Sequence, residues 1–378
     1  MEIAYFVALN VLGHLAFVGA RMTTSLFALR LGASPVTVGV VMALFAALPM
    51  LFSVTAGRLI DRAGPRVPLL AAFAGLAVGA TLPFAFPSIE VLYFSSSLLG
   101  LSFMFIHIGM NSVFGAHGGP EQRPMNFAWL ALGFSISGSL GPLVAGFTIE
   151  GFGHRAAFLL LAFFPALAGI LLWLRKRPLP RPERHPASAR QRLLDLFRVP
   201  GLRNAFTVSG ILAMGWDLYA FLMPLYGAKV GLAAGAIGVV MATFAVATFV
   251  VRLAMRALIT RVRQWVIIIS AMTIAGVSYA LFPFVSTTPL LMAISFLLGL
   301  GLGCAQPVIM ALLYEAAPPG RQSEAVGVRT TMINASQTLI PLGSGALAGV
   351  FGMGPVFGLL ALCLLGGAVY ARNRGRAQ

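Results

Sequence analysis

Ten acidic residues occur in 378 positions, and nine of them fall at the ends of apolar runs. Glu2, Asp61, Glu121, Glu183, Asp195, Glu315 and Glu324 fall at one face, and Glu90 and Glu150 at the other. Asp217, in "GWDLY", is the deep one. If its run is helical it lies about 20 Å from Asn204 and about 18 Å from Lys229, at ~1.5 Å rise per residue. An ionisable group in hydrocarbon is costly, so it is a functional candidate by default. A carboxylate there can take up and release a proton.

The first apolar run carries Asn10, His14 and Arg21 at spacings of four and seven, one stripe of a helix. Val18 belongs to that stripe and corresponds to Asp217 in an internal repeat described below. If both copies present the same face to a shared axis, Asp217 faces Arg21 with an axial mismatch of about 4.5 Å. Two roles stay open for the pair. It is a proton-coupling site that substrate or helix movement breaks, or it is a static ion pair. His14 is a proton carrier, a substrate ligand or a packing group. Phe17 and Trp216, beside Val18 and Asp217, join the candidate cavity wall. So do His107 and its repeat partner Gln306, together with Asn111, which lies four residues after His107. Asn334 and Gln337 add polarity to the eleventh apolar run. Arg252 is expected to snorkel to a membrane edge.

These groups need a frame. Apolar residues make up 59% of the chain, charged residues 10%, and the mean hydropathy is +0.92. Soluble domains carry about a quarter charged residues. Twelve stretches are long enough for a bilayer core of about 30 Å. The first resembles a signal peptide in length, but it has no basic leader and eleven more follow, so it reads as a retained helix. The net charge of +16 is not a nucleic-acid signature. Of 26 Lys and Arg, 20 fall in loops on one side, against Arg30, Arg155 and Lys229 on the other. Basic loops stay in the cytoplasm, which places both termini there. Cys304 and Cys363 sit in apolar runs with no metal-ligand spacing and read as packing residues.

"GVVMALFA" at 39–46 returns as "GVVMATFA" at 238–245, 199 positions later. The same offset pairs "LLGL" at 98–101 with 297–300, Pro142 and Gly146 with Pro341 and Gly345, and Phe152–Gly153 with Phe351–Gly352. The fold class follows: an all-α membrane protein of 12 transmembrane helices in two six-helix bundles (1–174 and 204–378), related by a pseudo-twofold. Parallel repeats place a shared cavity between the halves. The basic, Pro-rich linker 175–203 joins them, and "ARQRLLDLFR" at 189–198 is a candidate surface helix.

"GRLIDRAGPR", Gly57 to Arg66, resembles the loop signature G-x-L-x-D-R-x-G-R-K of the major facilitator superfamily (MFS). Gly57, Leu59, Asp61, Arg62 and Gly64 match, Pro65 replaces a basic residue, and Arg66 supplies the last one. The resemblance implies a conformational gate in which the acid meets Arg329 at the start of the eleventh run. Thr260 replaces the acid in the second copy. "SISGSLGPLVAG" is similar to the superfamily's antiporter signature, with Gly141, Pro142 and Gly146 matching and Ser137 and Ala145 as small substitutes. Generic small-residue packing would use the same residues. The arginine of drug–proton antiporters in the fourth run is absent, and Ser96 stands there.

The resemblance implies alternating access: proton-coupled efflux of a small organic molecule, or uptake of an organic anion or metabolite, with a non-transporting receptor or scaffold as the rival of another class. It implies no enzyme activity, no cofactor and no metal, with the proton gradient as energy source. The expected partners are a small-molecule substrate and the lipid bilayer, with no nucleic acid. One chain holds both halves, so a monomer suffices. The expected location is a bacterial-type inner membrane.

Overall fold

The computed structural model describes residues 2–118, 120–180, 193–318 and 322–375. Among these are eleven α-helices: α1 (Glu2–Arg30), α2 (Pro35–Ala63), α3 (Arg66–Ala85), α4 (Ile89–Ala116), α5 (Arg123–Leu174), α6 (Pro200–Lys229), α7 (Ala234–Arg261), α8 (Gln264–Leu281), α9 (Thr288–Ala316), α10 (Gln322–Phe351) and α11 (Met353–Gly375). α5 is two helices meeting at Gly153, whose φ of 85° breaks the helical backbone. Counting α5 twice gives twelve helical legs. Of the candidate surface helix, residues 189–192 lie outside the described residues and Leu193–Arg198 forms a 3₁₀ turn.

The local sequence explains where the legs begin and end. Ser34 caps α2 by accepting from the Thr37 N–H at 3.1 Å, and Pro35 occupies the first turn. Gly64, with φ 80°, closes the same helix by donating its N–H to the Ile60 carbonyl. Large apolar side chains such as Leu51, Phe94 and Trp173 remain exposed on the outside. Lipid, not water, is the solvent that accepts such a surface. The protein is a multi-pass membrane protein.

The repeat is visible in the backbone. Gly32 and Gly231, one offset apart, turn with φ 82° and 80°, and Gly153 and Gly352 with 85° and 79°. Close approaches repeat too. Gly100 lies against the Phe45 carbonyl as Gly299 lies against that of Phe244. A Cβ on Gly39 would come within 2.6 Å of the Pro341 carbonyl and 3.2 Å of Gly345. Gly238 meets Pro142 and Gly146 in the same way. The α2–α10 and α5–α7 contacts are therefore one seam used twice. Both seams lie near the end opposite the termini, called here the far end, and they bring the two halves into backbone contact there.

Candidate functional site

Below those seams the two halves enclose a cavity of about 430 Å³. That volume suits a small organic ligand. α1 lines it with His14, Phe17, Val18 and Arg21, a stripe at spacings of three and four. α4 adds Phe103 and His107, and α5 adds Phe134 and Ser135. From the second half, α6 contributes Trp216, Tyr219 and Ala220, and α7 contributes Phe244, Thr248 and Arg252.

The aromatic walls are ordered by ring packing. Phe17 stacks on Phe103 at 4.0 Å and 11°. Tyr219 stacks on Phe244 at 4.4 Å, and its hydroxyl donates to the Val240 carbonyl. Trp216 meets the same Phe244 edge-on at 5.0 Å. The His14 ring packs edge-on against Phe134 at 4.8 Å. His14 Nδ1 lies 2.7 Å from Ser137 Oγ. Ser137 Oγ also lies 2.7 Å from the Gly133 carbonyl, which takes its proton when His14 Nδ1–H is the donor to the serine.

Two guanidiniums reach the cavity. Arg21 sits 5.9 Å from the ring centroids of both Phe17 and Phe45, a cation–π cradle. Its Nε is enclosed and makes no hydrogen bond. Arg252 donates to Ser135 Oγ at 3.1 Å, which ties α7 to α5 across the two halves. Among the described residues no carboxylate lines this cavity, and no cluster of His, Cys, Asp or Glu could hold a metal ion.

Asp217 departs from expectation. It is 3% exposed and does not line the cavity. Its Oδ1 accepts from Gln337 Nε2 at 2.9 Å, and its enclosed Oδ2 has no partner. It makes no ion pair within 4 Å with Arg21, although the two charges still act on each other through space. The reason is rotational. The cavity stripe runs Phe17–Val18–Arg21 on α1 but Trp216–Tyr219–Ala220 on α6. That shift carries Asp217 off the wall and toward α10.

Other expected wall residues also move. Phe17, His107 and Trp216 line the cavity, whereas Asn10, Asn111, Gln306, Asn334 and Gln337 do not. Asn10 is fully buried, with neither side-chain polar atom hydrogen-bonded. Asn111 bonds back to the His107 carbonyl in its own helix. Gln306 accepts from Arg329. Gln337 is committed to Asp217. The Asn334 backbone carbonyl takes the Thr338 hydroxyl.

The expected gate pair is not formed either. Arg329 is buried inside the second half, where Nε donates to Ser209 Oγ at 2.7 Å and the head reaches Gln306 and Met310. Asp61 and Arg62 are exposed, and among the described residues Asp61 makes no ion pair. A Cβ on Gly57 would meet nothing within 4 Å. Arg66 donates to the Trp173 carbonyl at 3.2 Å, a cation at the C-terminal end of a helix. In the fifth run, Gly141 packs on the Leu15 carbonyl and Gly19, while Pro142 and Gly146 form the α5 side of the far-end seam.

Arg252, expected to snorkel to a membrane edge, is placed elsewhere. It is a wall residue, not a snorkelling one. Met241, Ala245, Thr248 and Arg252 follow a three-four spacing that marks one helix face, and all four line the cavity. Ser135, Phe103, Phe134, Tyr219 and Phe244 were likewise hidden among many apolar neighbours.

The family model of the Major Facilitator Superfamily matches residues 6–233 and 205–376. The chain belongs to this superfamily. It is a transporter of small molecules, not an enzyme. Among curated members, the tetracycline resistance protein, class G, of Vibrio anguillarum is 26% identical over 324 residues, covering 82% of this chain and 80% of that protein. The multi-drug resistance efflux pump PmrA of Streptococcus pneumoniae is 26% identical over 321 residues, covering 83% and 80%. Among solved superfamily structures, the nucleoside transporter NupG superposes with a TM-score of 0.79 at 15% identity, covering 98% of this chain and 99% of that one. The peptide transporter POT gives 0.83 at 14%, covering 98% and 93%. These two likenesses show the shared fold.

Proposed function

We propose that this protein exports small organic molecules by alternating access, driven by proton entry through Asp217. One observation carries the reading. An aromatic cavity between two repeat-related halves, which touch through glycine seams at the far end, lies beside one enclosed carboxylate with an unpartnered oxygen. The cavity supplies a substrate site, and the carboxylate supplies a proton site coupled electrostatically to the cavity cation Arg21. The seams at Gly39–Gly345 and Gly238–Gly146 supply a joint that opens when the halves rock. The likeness to a tetracycline resistance protein and a multi-drug efflux pump supports export. The one-sided arginines support cytoplasmic termini in a bacterial inner membrane. His14 adds a second proton-binding group on the wall, and the Gly57–Arg66 segment, the last turns of α2 and the Gly64–Pro65 turn into α3, serves as the conformational gate at the terminus-bearing end. Both halves lie in one chain, so the working unit is a monomer.

The test uses purified protein in liposomes, an imposed pH gradient, and a panel of anionic, neutral and cationic fluorescent aromatic dyes. The expected result is proton-driven flux of at least one dye in wild type. Asp217→Asn should lose the response to the pH gradient while keeping dye exchange. Unchanged pH coupling in Asp217→Asn removes that residue from the role, and the absence of flux for every dye overturns the transport reading.

A further inference from the structure

The wall charges are one-sided. Arg21 and Arg252 line the cavity, and among the described residues no carboxylate does. We propose that the cavity selects organic anions, with a carboxylate or sulfonate group on Arg21 and a flat apolar body among Phe17, Phe103, Trp216 and Phe244. The inference rests on the reading above that this cavity holds the transported molecule.

A guanidinium presents five N–H donors in a planar fork that matches an oxyanion in two-point contact. Arg21 lines the cavity, and its Nε is enclosed and unbonded. A charge held in the membrane without a counter-ion is costly, so such arginines pair with an acid or a ligand. The neighbouring acid, Asp217, is turned away and held by Gln337. The Arg21 fork therefore lacks an acceptor that a bound oxyanion would supply. The cation–π cradle of Phe17 and Phe45 fixes the head without using its donors.

Arg252 repeats the pattern at the other end of the cavity. Its hydrogen-bond partner, Ser135, is neutral. Arg21 is nine residues from the far end of α1, and Arg252 is eighteen from the far end of α7. The two cations are thus separated by about 13 Å along the membrane normal at ~1.5 Å per residue. Arg252 lies on the side toward the termini, where an arriving anion meets it first. The aromatic rings fill the interval. A cationic aromatic molecule would fit the same rings but would face two like charges and no carboxylate on the wall.

The charge balance also favours export of an anion. A proton entering while an anion leaves carries positive charge inward twice, so a pH gradient and an inside-negative potential drive the exchange together.

The experiment is equilibrium binding to the full-length protein in nanodiscs, with 2-naphthoate, 2-naphthalenesulfonate, 2-naphthamide and 2-naphthylmethylammonium as probes. The two anions should bind at least tenfold tighter than the amide or the ammonium. Arg21→Gln should abolish that preference, and Arg21→Lys, which keeps the charge and loses the fork, should retain part of it. Arg252→Gln should slow anion association. Folding of each variant is checked by size-exclusion profile and by retained binding of the neutral amide.

Equal or tighter binding of the ammonium overturns the proposal. So does an anion preference that survives in the Arg21→Gln, Arg252→Gln double variant, and so does failure of all four probes to bind. The two readings fail separately. Proton-driven flux of cationic dyes with no anion preference removes the charge inference alone. Arg21-dependent anion binding with no flux of any dye removes the transport reading alone.

Discussion

The side-chain amide of Gln337 donates to Oδ1 of Asp217 at 2.9 Å, while Oδ2 of the same carboxylate is enclosed and unpartnered. One oxygen is thus anchored to α10 and the other is free to take a proton. α10 also forms a far-end seam with α2. Asp217 is therefore bonded to the helix of the second half that forms a seam with the first.

The first prediction concerns that anchor. Gln337→Leu leaves the buried carboxylate with no donor on either oxygen. A hydrogen bond to a charged group contributes about 1.5–3 kcal/mol. Proton-driven flux should fall roughly tenfold or more, toward the Asp217→Asn level, while dye exchange without a gradient persists. Gln337→Glu tests the same contact from the other side, since a second carboxylate would compete for the proton. If Gln337→Leu keeps full proton-driven flux, the anchor has no part in coupling.

The second prediction is a tautomer. A helical serine hydroxyl bonds back to the carbonyl four residues earlier, here Gly133, and with its one proton placed there the 2.7 Å contact to His14 needs Nδ1–H as the donor. Neutral His14 then carries its proton on Nδ1 and leaves Nε2 as the basic nitrogen. Ring-nitrogen NMR of the labelled protein should show Nε2 unprotonated, and Ser137→Ala should release the other tautomer. An Nε2–H form in wild type would mean that the serine donates to the histidine instead. The basic nitrogen of His14 would then be Nδ1, covered by the serine hydroxyl.

Much of this was readable before any coordinates. Hydropathy counts helices well because a lipid-facing leg needs apolar residues on all sides. The repeat predicts backbone contacts well because Gly39 and Gly238 serve the same close approach and tolerate no Cβ there. Side-chain direction is a different matter. Val18 and Asp217 occupy equivalent backbone positions, yet the cavity stripes of α1 and α6 differ in rotation, and only Val18 reaches the wall. Depth alone suggested that Arg252 would reach for the membrane edge, but a nearby serine across the seam holds it inside. Arg329 likewise found neutral partners, Ser209 and Gln306, within its own half. Partner choice among buried polar groups depends on tertiary contacts that spacing does not encode.

The last prediction tests the seam as a two-copy device. A Cβ at Gly39 would press on the Pro341 carbonyl at 2.6 Å, and a Cβ at Gly146 would press on that of Ala234 at 2.5 Å. Gly39→Val and Gly238→Val should each wedge one seam, at about 1–3 kcal/mol for overpacking. That is enough to shift a two-state equilibrium about tenfold toward the far-end-open form. The readout is a cysteine replacing the wall residue Met241, in a background without Cys304 and Cys363, labelled from the far side by an impermeant maleimide. Both variants should raise labelling, and the pair together should raise it further. Gly151→Ala, where a Cβ meets nothing within 4 Å, should leave it unchanged. The two seams differ in one respect. Glu150 accepts the Gly235 N–H at 3.0 Å at the start of α7, where a helix N-terminus favours an anion, and its repeat partner on α10 is Gly349, which has no side chain to do so. Glu150→Ala should therefore open the α5–α7 seam more readily than any single-residue deletion opens α2–α10. Equal labelling in wild type and all three seam variants would show that these contacts do not hold the far end shut.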